Sequence, residues 1–385
     1  MVQLGLEPGK ELLMTDRGRM AFKDTPAGMY LREGPATLVV DGSFMTYFCH
    51  SRLIAGAVVG SKDGPWPVHA LVNWVGYVEY FQKLGHRVHV VWDAPFDSLW
   101  RLKLYPDYKR DRREADAARL VEKAYINGVL APLVRSYLLK VEGVTQWWCS
   151  GYEADDLVAD VLNEVLQEDR RIGLITADTD WEQFVSDRVS WISLKSALCT
   201  KGSPRPESLW QVKALTGDSA DSIKGLVGIG SASAVELAAR GWSAVLDQFG
   251  SGDFTGVSKA VRTRAEKAVA LAGGAEEAVE LLRLNAVLMA LKREDQVGVD
   301  AAYAKWTRPR GNAEGSIGRG MSAQAREAWF ERLELPGGLT GRIRQDLDRL
   351  DLEEAAKSVP WVMPLRRRLG HEGGLPIGLF AAGGR

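Results

Sequence analysis

The chain reads as an α/β protein with a mostly parallel sheet flanked by helices. Three observations predict this. Five short apolar runs recur between residues 36 and 194, helical patterns separate several of them, and three of the runs end in an aspartate. Alternating strand and helix implies parallel strands with helices on both faces. A strand buried on both faces shows a continuous apolar run rather than strict alternation.

Taken in order, residues 1–36 have weak periodicity and several breakers (Gly9, Pro26, Gly28, Gly34, Pro35), and read as a loosely attached arm. "ATLVVDG" (36–42) is the first strand. "HALVNWVGYVEYFQKLG" (69–85) has helical spacing and stops at Gly85. "HRVHVVWD" (86–93) is the second strand, "VTQWWCS" (144–150) a weaker third, "RIGLITAD" (171–178) the fourth and "RVSWISL" (188–194) the fifth. Helical patterns occupy 114–140, 153–168 and 179–186. Further on, 308–321 reads as a mobile linker, and 323–334 and 341–359 read as helices.

Composition sets the bounds. A chain of 385 residues with 46% apolar content can bury a sizeable core in one or two domains. The net charge of −1 says little about partners. Cys49, Cys149 and Cys199 form no CxxC pair, which points to a reducing compartment. The N-terminus has charges throughout and no apolar core of a signal peptide. No run of 18 apolar residues occurs, so no membrane span is expected.

The chemistry gathers at the strand ends. Asp41, Asp93 and Asp178 close the first, second and fourth strands, and "GYEADDLVAD" (151–160) opens the helix after the third. Ligands of open parallel sheets bind at the carboxyl ends of the strands. The topology therefore gathers Asp41, Asp93, Glu153, Asp155, Asp156, Asp178 and Asp180 at one edge. An aspartate after a strand is most often a helix cap or turn residue. Seven carboxylates converging as caps alone would be a coincidence. No Arg or Lys stands beside Glu153, Asp155 and Asp156 in sequence, so a positive partner has to come from elsewhere. Oxygen-only ligands suit Mg²⁺, with Mn²⁺ able to substitute. The five histidines lie outside the cluster, and His86 and His89 read as structural. Two Mg²⁺ about 4 Å apart are the arrangement used for in-line phosphodiester cleavage.

A second acidic pair, Asp218 and Asp221, precedes Gly225, Gly228 and Gly230 in "LTGDSADSIKGLVGIGSASAVELAARG" (215–241). This stretch resembles the helix–three-turn–helix of the 5′-nuclease family, the flap endonucleases and 5′→3′ exonucleases of phages and of bacterial DNA polymerase I. "LVVDG", "VWDAP", "YPDYKRDR", "EADD", "TADTDW" and "GDSADSIKGLVGIG" follow the family's order from about 37 to about 295. The resemblance implies a PIN-like (Rossmann-like) core with a helical arch. It also implies metal binding by Asp41, Asp93, Glu153, Asp155, Asp156, Asp178, Asp180, Asp218 and Asp221, with the Mg²⁺ pair as their countercharge.

"WRLKLYPDYKRDRREADAARL" (100–120) fits the arch. Arg101, Lys103, Lys109, Arg110, Arg112 and Arg113 form dense positive charge there, interleaved with Asp107, Asp111 and Glu114. Such a stretch is either a solvated helix or a phosphate gate. The resemblance favours the gate, with Lys109 and Arg112 as catalytic residues, Tyr108 stacking on an unpaired base, and Arg110 and Arg113 on DNA. Gly225, Gly228, Gly230 and Ser231 would present backbone N–H groups to duplex phosphates, with a monovalent cation as a further expectation. Relatives often carry a Lys after the second glycine of "GIG". Here Ser231, Ala232 and Ser233 follow, and Lys213 and Lys224 are the expected source of charge. Relatives also often have an Arg seven residues after the first Asp, where this chain has Phe48, with His50 and Arg52 nearby. If nine carboxylates form one metal site, the remainder carries about eight net positive charges, enough for a DNA-tracking face if clustered.

These readings divide the chain into an arm (1–36), a nuclease core (37–205) with the arch at about 97–135, the helix–three-turn–helix region (206–300) and a helical extension with a flexible tail (301–385). Ile377, Leu379 and Phe380 resemble the end of peptides that dock into sliding clamps, although Pro376 stands where those peptides carry Gln. The expected protein is a monomeric Mg²⁺-dependent exonuclease or flap endonuclease, cytoplasmic in a bacterial or phage-infected cell. It would act on DNA 5′ ends, flaps or nicks and on RNA primers. Three rivals stand beside it: a PIN-class single-strand ribonuclease, a haloacid-dehalogenase-type phosphatase suggested by "GLITADTD", and a non-catalytic branched-DNA-binding module.

Overall fold

A computed structural model describes residues 12–15, 18–51, 58–61, 64–67, 69–113, 126–138, 141–149, 151–168, 171–202, 206–291 and 314–317. Within 112–113, 127–138 and 206–208 some side chains are outside that description, Arg112 and Arg113 among them. The tail with Ile377, Leu379 and Phe380 lies outside it, as do the helices expected at 323–334 and 341–359.

Five strands form the parallel heart of one sheet: β1 (Thr37–Asp41), β2 (Arg87–Val91), β3 (Val144–Trp148), β4 (Ile172–Ile175) and β5 (Val189–Ser193). β1 lies between β2 and β4, with β3 beyond β2 and β5 beyond β4, all parallel. The chain thus winds one way from β1 to β3, then crosses back to β4. That reversal between β1 and β4 creates the crevice where such sheets bind ligands. β6 (Leu198–Thr200) and β7 (Glu314–Ile317) pair antiparallel at the two edges. The strand at 314–317 lies inside the stretch expected to be a linker, where "EGSI" gives almost no apolar signal.

The central strands are apolar because both faces are covered. All five residues of β1 are buried. One face packs against α2 (Gly42–His50) and α3 (His69–Lys83), with Trp74 and Phe81 fully enclosed. The other packs against the helix Ala154–Glu168 through Leu157, Val158 and Val161. A third core joins helices Pro206–Thr216, Ser231–Ala238, Trp242–Ser251, Lys259–Ala272 and Ala275–Met289, and takes in Leu99 and Tyr108 of the arch base.

The arm reading holds poorly for its second half. α1 (Pro26–Arg32) is capped by the Thr25 hydroxyl, which accepts from the Gly28 amide, and it buries Ala27, Tyr30 and Leu31 in the main core. Arg171 lies over the Tyr30 ring at 3.8 Å and donates to the Gly34 carbonyl, which fastens the segment to the sheet. Pro at the first helical turn marks a helix start as readily as a break. His86 bridges the Ala36 amide and the Leu31 carbonyl, the structural role expected of it. Among the described residues no helix is long and apolar enough to cross a membrane.

Candidate active site

Three strand ends deliver an aspartate, and each of these also accepts a backbone hydrogen bond. Asp41 accepts from the Phe44 amide at 2.8 Å through one oxygen and from the Thr176 hydroxyl at 3.0 Å through the other. Asp93 accepts from the Ala154 amide at 2.7 Å, which joins the end of β2 to the acidic helix. Asp178 caps the short 3₁₀ turn Thr179–Phe184 by accepting from the Asp180 amide at 2.8 Å. Asp218 does the same for the turn Ser219–Asp221, accepting from the Ala220 amide at 2.8 Å. A capping role therefore does not exclude ligation. The backbone bonds fix each carboxylate's position at the sheet edge.

Massed acids repel, and burial together with that repulsion raises several of their pKa values. Burial, then the Asp93 charge, pushes Asp41 up to about 7. Burial and Glu153 raise Asp93, and burial, Asp178 and Glu153 raise Asp155 well above the carboxylate range. Burial and Asp178 bring Asp180 to about 6. These shifts mean that the four share one field and would gain from a countercharge.

Part of that charge comes from the chain, which corrects the sequence reading. Arg101, placed there with the phosphate gate, is 2% exposed and inside the protein. Its guanidinium pairs with Glu153 at 2.9 Å and Asp156 at 2.8 Å, and its Nε donates to the Leu288 carbonyl at 3.2 Å. Lys109 pairs with Glu153 and stands 3.9 Å from Asp221. Burial pushes Glu153 up, but Lys109 and Arg101 outweigh it and hold the carboxyl below its ordinary value. Asp156 also accepts from the Trp100 indole at 2.9 Å and from the Glu153 amide at 3.0 Å. It is 1% exposed, and with these partners it acts as an internal brace rather than as an open ligand.

Two further expectations change. Tyr108 is 2% exposed, with its hydroxyl donating to Glu153 at 2.7 Å, so it has no open ring on which a base could stack. Lys213 sits between Asp180 and Asp218, bonded to the latter at 2.8 Å, rather than at the glycine turn. Burial disfavours its charge, but the two acids raise its pKa. Two unforeseen partners complete the site. The buried Trp181 indole donates to Asp155 at 2.6 Å, and Thr176 holds Asp41. The "TADTDW" stretch contained both, but neither Thr nor Trp is a ligand type that a search for acids would flag.

Arg110 is exposed beside Asp107. At the glycine turn, Gly228 has φ +89° with open space around it, Gly230 precedes the first turn of Ser231–Ala238, and Ser231 and Lys224 are exposed. Gly225 is different. A Cβ there would lie 2.0 Å from the Thr216 carbonyl carbon, so this glycine serves the fold.

Among the described residues no three acidic, His or Cys side chains close on a single point as a preformed cage. The donor set nevertheless fits a hard divalent cation. It is oxygen-only, and four of its carboxyls are raised by burial and then by neighbouring negative charge, the second of which a dication would offset. This yields a stability prediction. A carboxyl raised above its unfolded value favours the fold at low pH and loses that contribution as pH climbs through the folded value. For Asp180 and Asp41 the window runs through about 6 and about 7. In chelator, the melting temperature at about pH 8 should fall below that at about pH 5.5, and a divalent cation should restore it. A flat profile in chelator would remove the proposed repulsion.

Residues 36–207 match the family model for the 5′-3′ exonuclease N-terminal resolvase-like domain. A thermostable DNA polymerase I of Thermus thermophilus is 30% identical over 208 residues, 52% of this chain and 23% of the relative. The 5′-3′ exonuclease of Aquifex aeolicus is 29% identical over 155 residues, 38% of this chain and 50% of the relative. The chain thus covers between about a quarter and a half of the length of these relatives. The phage T5 5′-exonuclease, solved with zinc ions, superposes with a TM-score of 0.51 at 20% identity over 68% of this chain and 91% of that one. At that identity the likeness concerns the fold.

Proposed function

We propose that the chain is a divalent-metal-dependent 5′→3′ exonuclease and structure-specific flap endonuclease that hydrolyses DNA phosphodiester bonds, with Mg²⁺ as the working ion. The observation that carries this reading is the delivery of Asp41, Asp93, Asp155, Asp178 and Asp180 to one sheet edge in a mutually repelling group. Two bound cations would supply an activated water and a countercharge for the leaving oxygen.

The residues of the chain do the rest. Asp41, Asp93, Glu153, Asp155, Asp178 and Asp180 would hold the cations, with Asp218 and Asp221 supporting the outer one. Trp181 and Thr176 fix the orientation of Asp155 and Asp41 through hydrogen bonds. The Lys109 ammonium, paired with Glu153, would meet a phosphate entering the site, and Arg112 would follow it. The open glycine turn at Gly228 and Gly230, with Ser231 and Lys224, would take a duplex phosphate on backbone N–H groups. A monovalent cation there belongs to the same reading.

The deciding experiment compares 5′-flap, nicked, single-strand DNA and RNA substrates with Mg²⁺ and with chelator. Cleavage confined to Mg²⁺ and strongest on the flap or nick is expected. Cleavage of single-strand RNA alone would favour the PIN-class ribonuclease, and binding without cleavage would favour a branched-DNA module. The glycine turn gives a second test. Gly230→Val should preserve the fold, because the space around that position is open. It should also weaken duplex binding about tenfold more than single-strand binding, because the side chain blocks approach to the phosphate. Equal losses on both would remove the turn from the interface.

A further inference from the structure

The base of the arch is tied to the turn that precedes the glycine segment by four hydrogen bonds more than 100 residues apart in sequence. The Tyr105 hydroxyl donates to the Ser222 carbonyl at 3.1 Å, and the Tyr108 hydroxyl donates to the Asp221 carboxylate at 3.2 Å. The Lys109 amide donates to the Asp221 carbonyl at 2.8 Å, and the Asp111 amide donates to the Ser222 hydroxyl at 3.3 Å. Two non-glycine residues with left-handed backbone meet across this contact, Lys109 at φ +52° and Ser222 at φ +57°. Such conformations are disfavoured and persist only where the surroundings over-determine them. Here each is held by the other's segment.

The turn is itself rigidly joined to the glycine segment. Gly217 pairs with Lys224 and Asp218 with Ile223, and Asn285 clamps the Ala214 and Lys224 carbonyls from below at 2.9 and 2.8 Å. The backbone at Gly225–Gly230 is thus connected to Asp221 and Ser222, and from these to the Lys109 amide through the Asp221 carbonyl and to Tyr105 and Asp111, on either side of Lys109, through Ser222.

We infer that Tyr105 and Ser222 are positioning residues that couple duplex engagement at the glycine turn to the placement of Lys109. Neither side chain lies in the acidic group. Their effect would be to make the position of the Lys109 ammonium depend on a bound duplex, so that a single strand alone leaves it less well placed. The inference rests on the nuclease reading above and adds a mechanism of substrate selection to it.

The test uses the full chain and the double variant Tyr105→Phe/Ser222→Ala. A blunt DNA duplex is the binding probe, and amide hydrogen exchange is followed in peptides covering 105–111 and 225–241. In the wild type, duplex should slow exchange in both peptides, by about tenfold at 105–111, the scale of one hydrogen bond. In the variant the duplex should bind within about twofold of wild type and protect 225–241 as before, while the response at 105–111 falls several-fold, the Asp221 bonds to Lys109 and Tyr108 being left in place. With Mg²⁺, the single-turnover rate on a flap substrate should fall about tenfold while that on a single strand is unchanged. A variant in which 105–111 responds as strongly as in the wild type, or equal rate losses on both substrates, overturns the coupling. Wild-type duplex binding with no response at 105–111 overturns it alone. Failure of the wild type to bind duplex overturns the nuclease reading as well.

Discussion

Asp155→Asn and Asp178→Asn are expected to reduce cleavage by three or more orders of magnitude, about 4 kcal/mol in transition-state stabilisation, and to leave DNA affinity nearly unchanged. Asparagine keeps the shape and the carbonyl oxygen, so the 2.6 Å bond from the Trp181 indole to Asp155 and the Asp178 cap on the 180 amide can both survive. What disappears is one negative charge from a repelling group. The metal-free Asp155→Asn protein should therefore melt higher than wild type at about pH 8, because Asp155 is strained upward by burial and by Asp178. Asp156→Asn should behave in the opposite way, since it weakens the Arg101 pairing and leaves an internal cation short of charge. Measured together, single-turnover rates and chelator melts separate a ligand acid from a brace acid. Wild-type rates in both Asp155→Asn and Asp178→Asn would dismantle the site.

Lys109→Ala is expected to lower single-turnover cleavage by about two orders of magnitude, roughly 3 kcal/mol, through loss of a cation next to the developing charge. The fold should tolerate it. Glu153 retains Arg101 and the Tyr108 hydroxyl, and the Lys109 amide bond to the Asp221 carbonyl does not depend on the side chain. Lys109→Arg is the informative partner, since it keeps the charge but changes its reach. Partial recovery with Arg would assign the effect to charge, and an unchanged rate in Lys109→Ala would reduce the arch base to a structural element.

The sheet and its acids were legible in the sequence because they obey local rules. "LVVD", "VVWD" and "LITAD" each show an apolar run and the acid that ends it within a few residues. The polar environment of those acids was not legible in the same way. Arg101 lies 52 positions from Glu153 and 55 from Asp156, and nothing in "WRLKLYPDYKRDRR" separates it from the basic residues around it. Only Trp100 and Leu102 beside it hint at an inward face. The resemblance assigns Tyr108 to base stacking, yet its ring is enclosed by the arch base and the helices of the C-terminal half. Helix α1 went unseen because Pro26 and Gly28 resemble breakers. In the structure Pro26 starts the helix, and Gly28 lets it pass the Phe22 carbonyl, where a Cβ would sit at 2.0 Å.

Gly217 and Gly225 face each other so closely that a Cβ on either would lie 2.3 Å from the other's amide nitrogen. Under random mutagenesis, these two positions behave as a single locked pair. Substituting one cannot be rescued by shrinking the other, because each is already the smallest residue. Variation is instead available a few residues away at Gly230, where nothing lies within 4 Å of an added Cβ and a side chain can be accommodated without disturbing the fold.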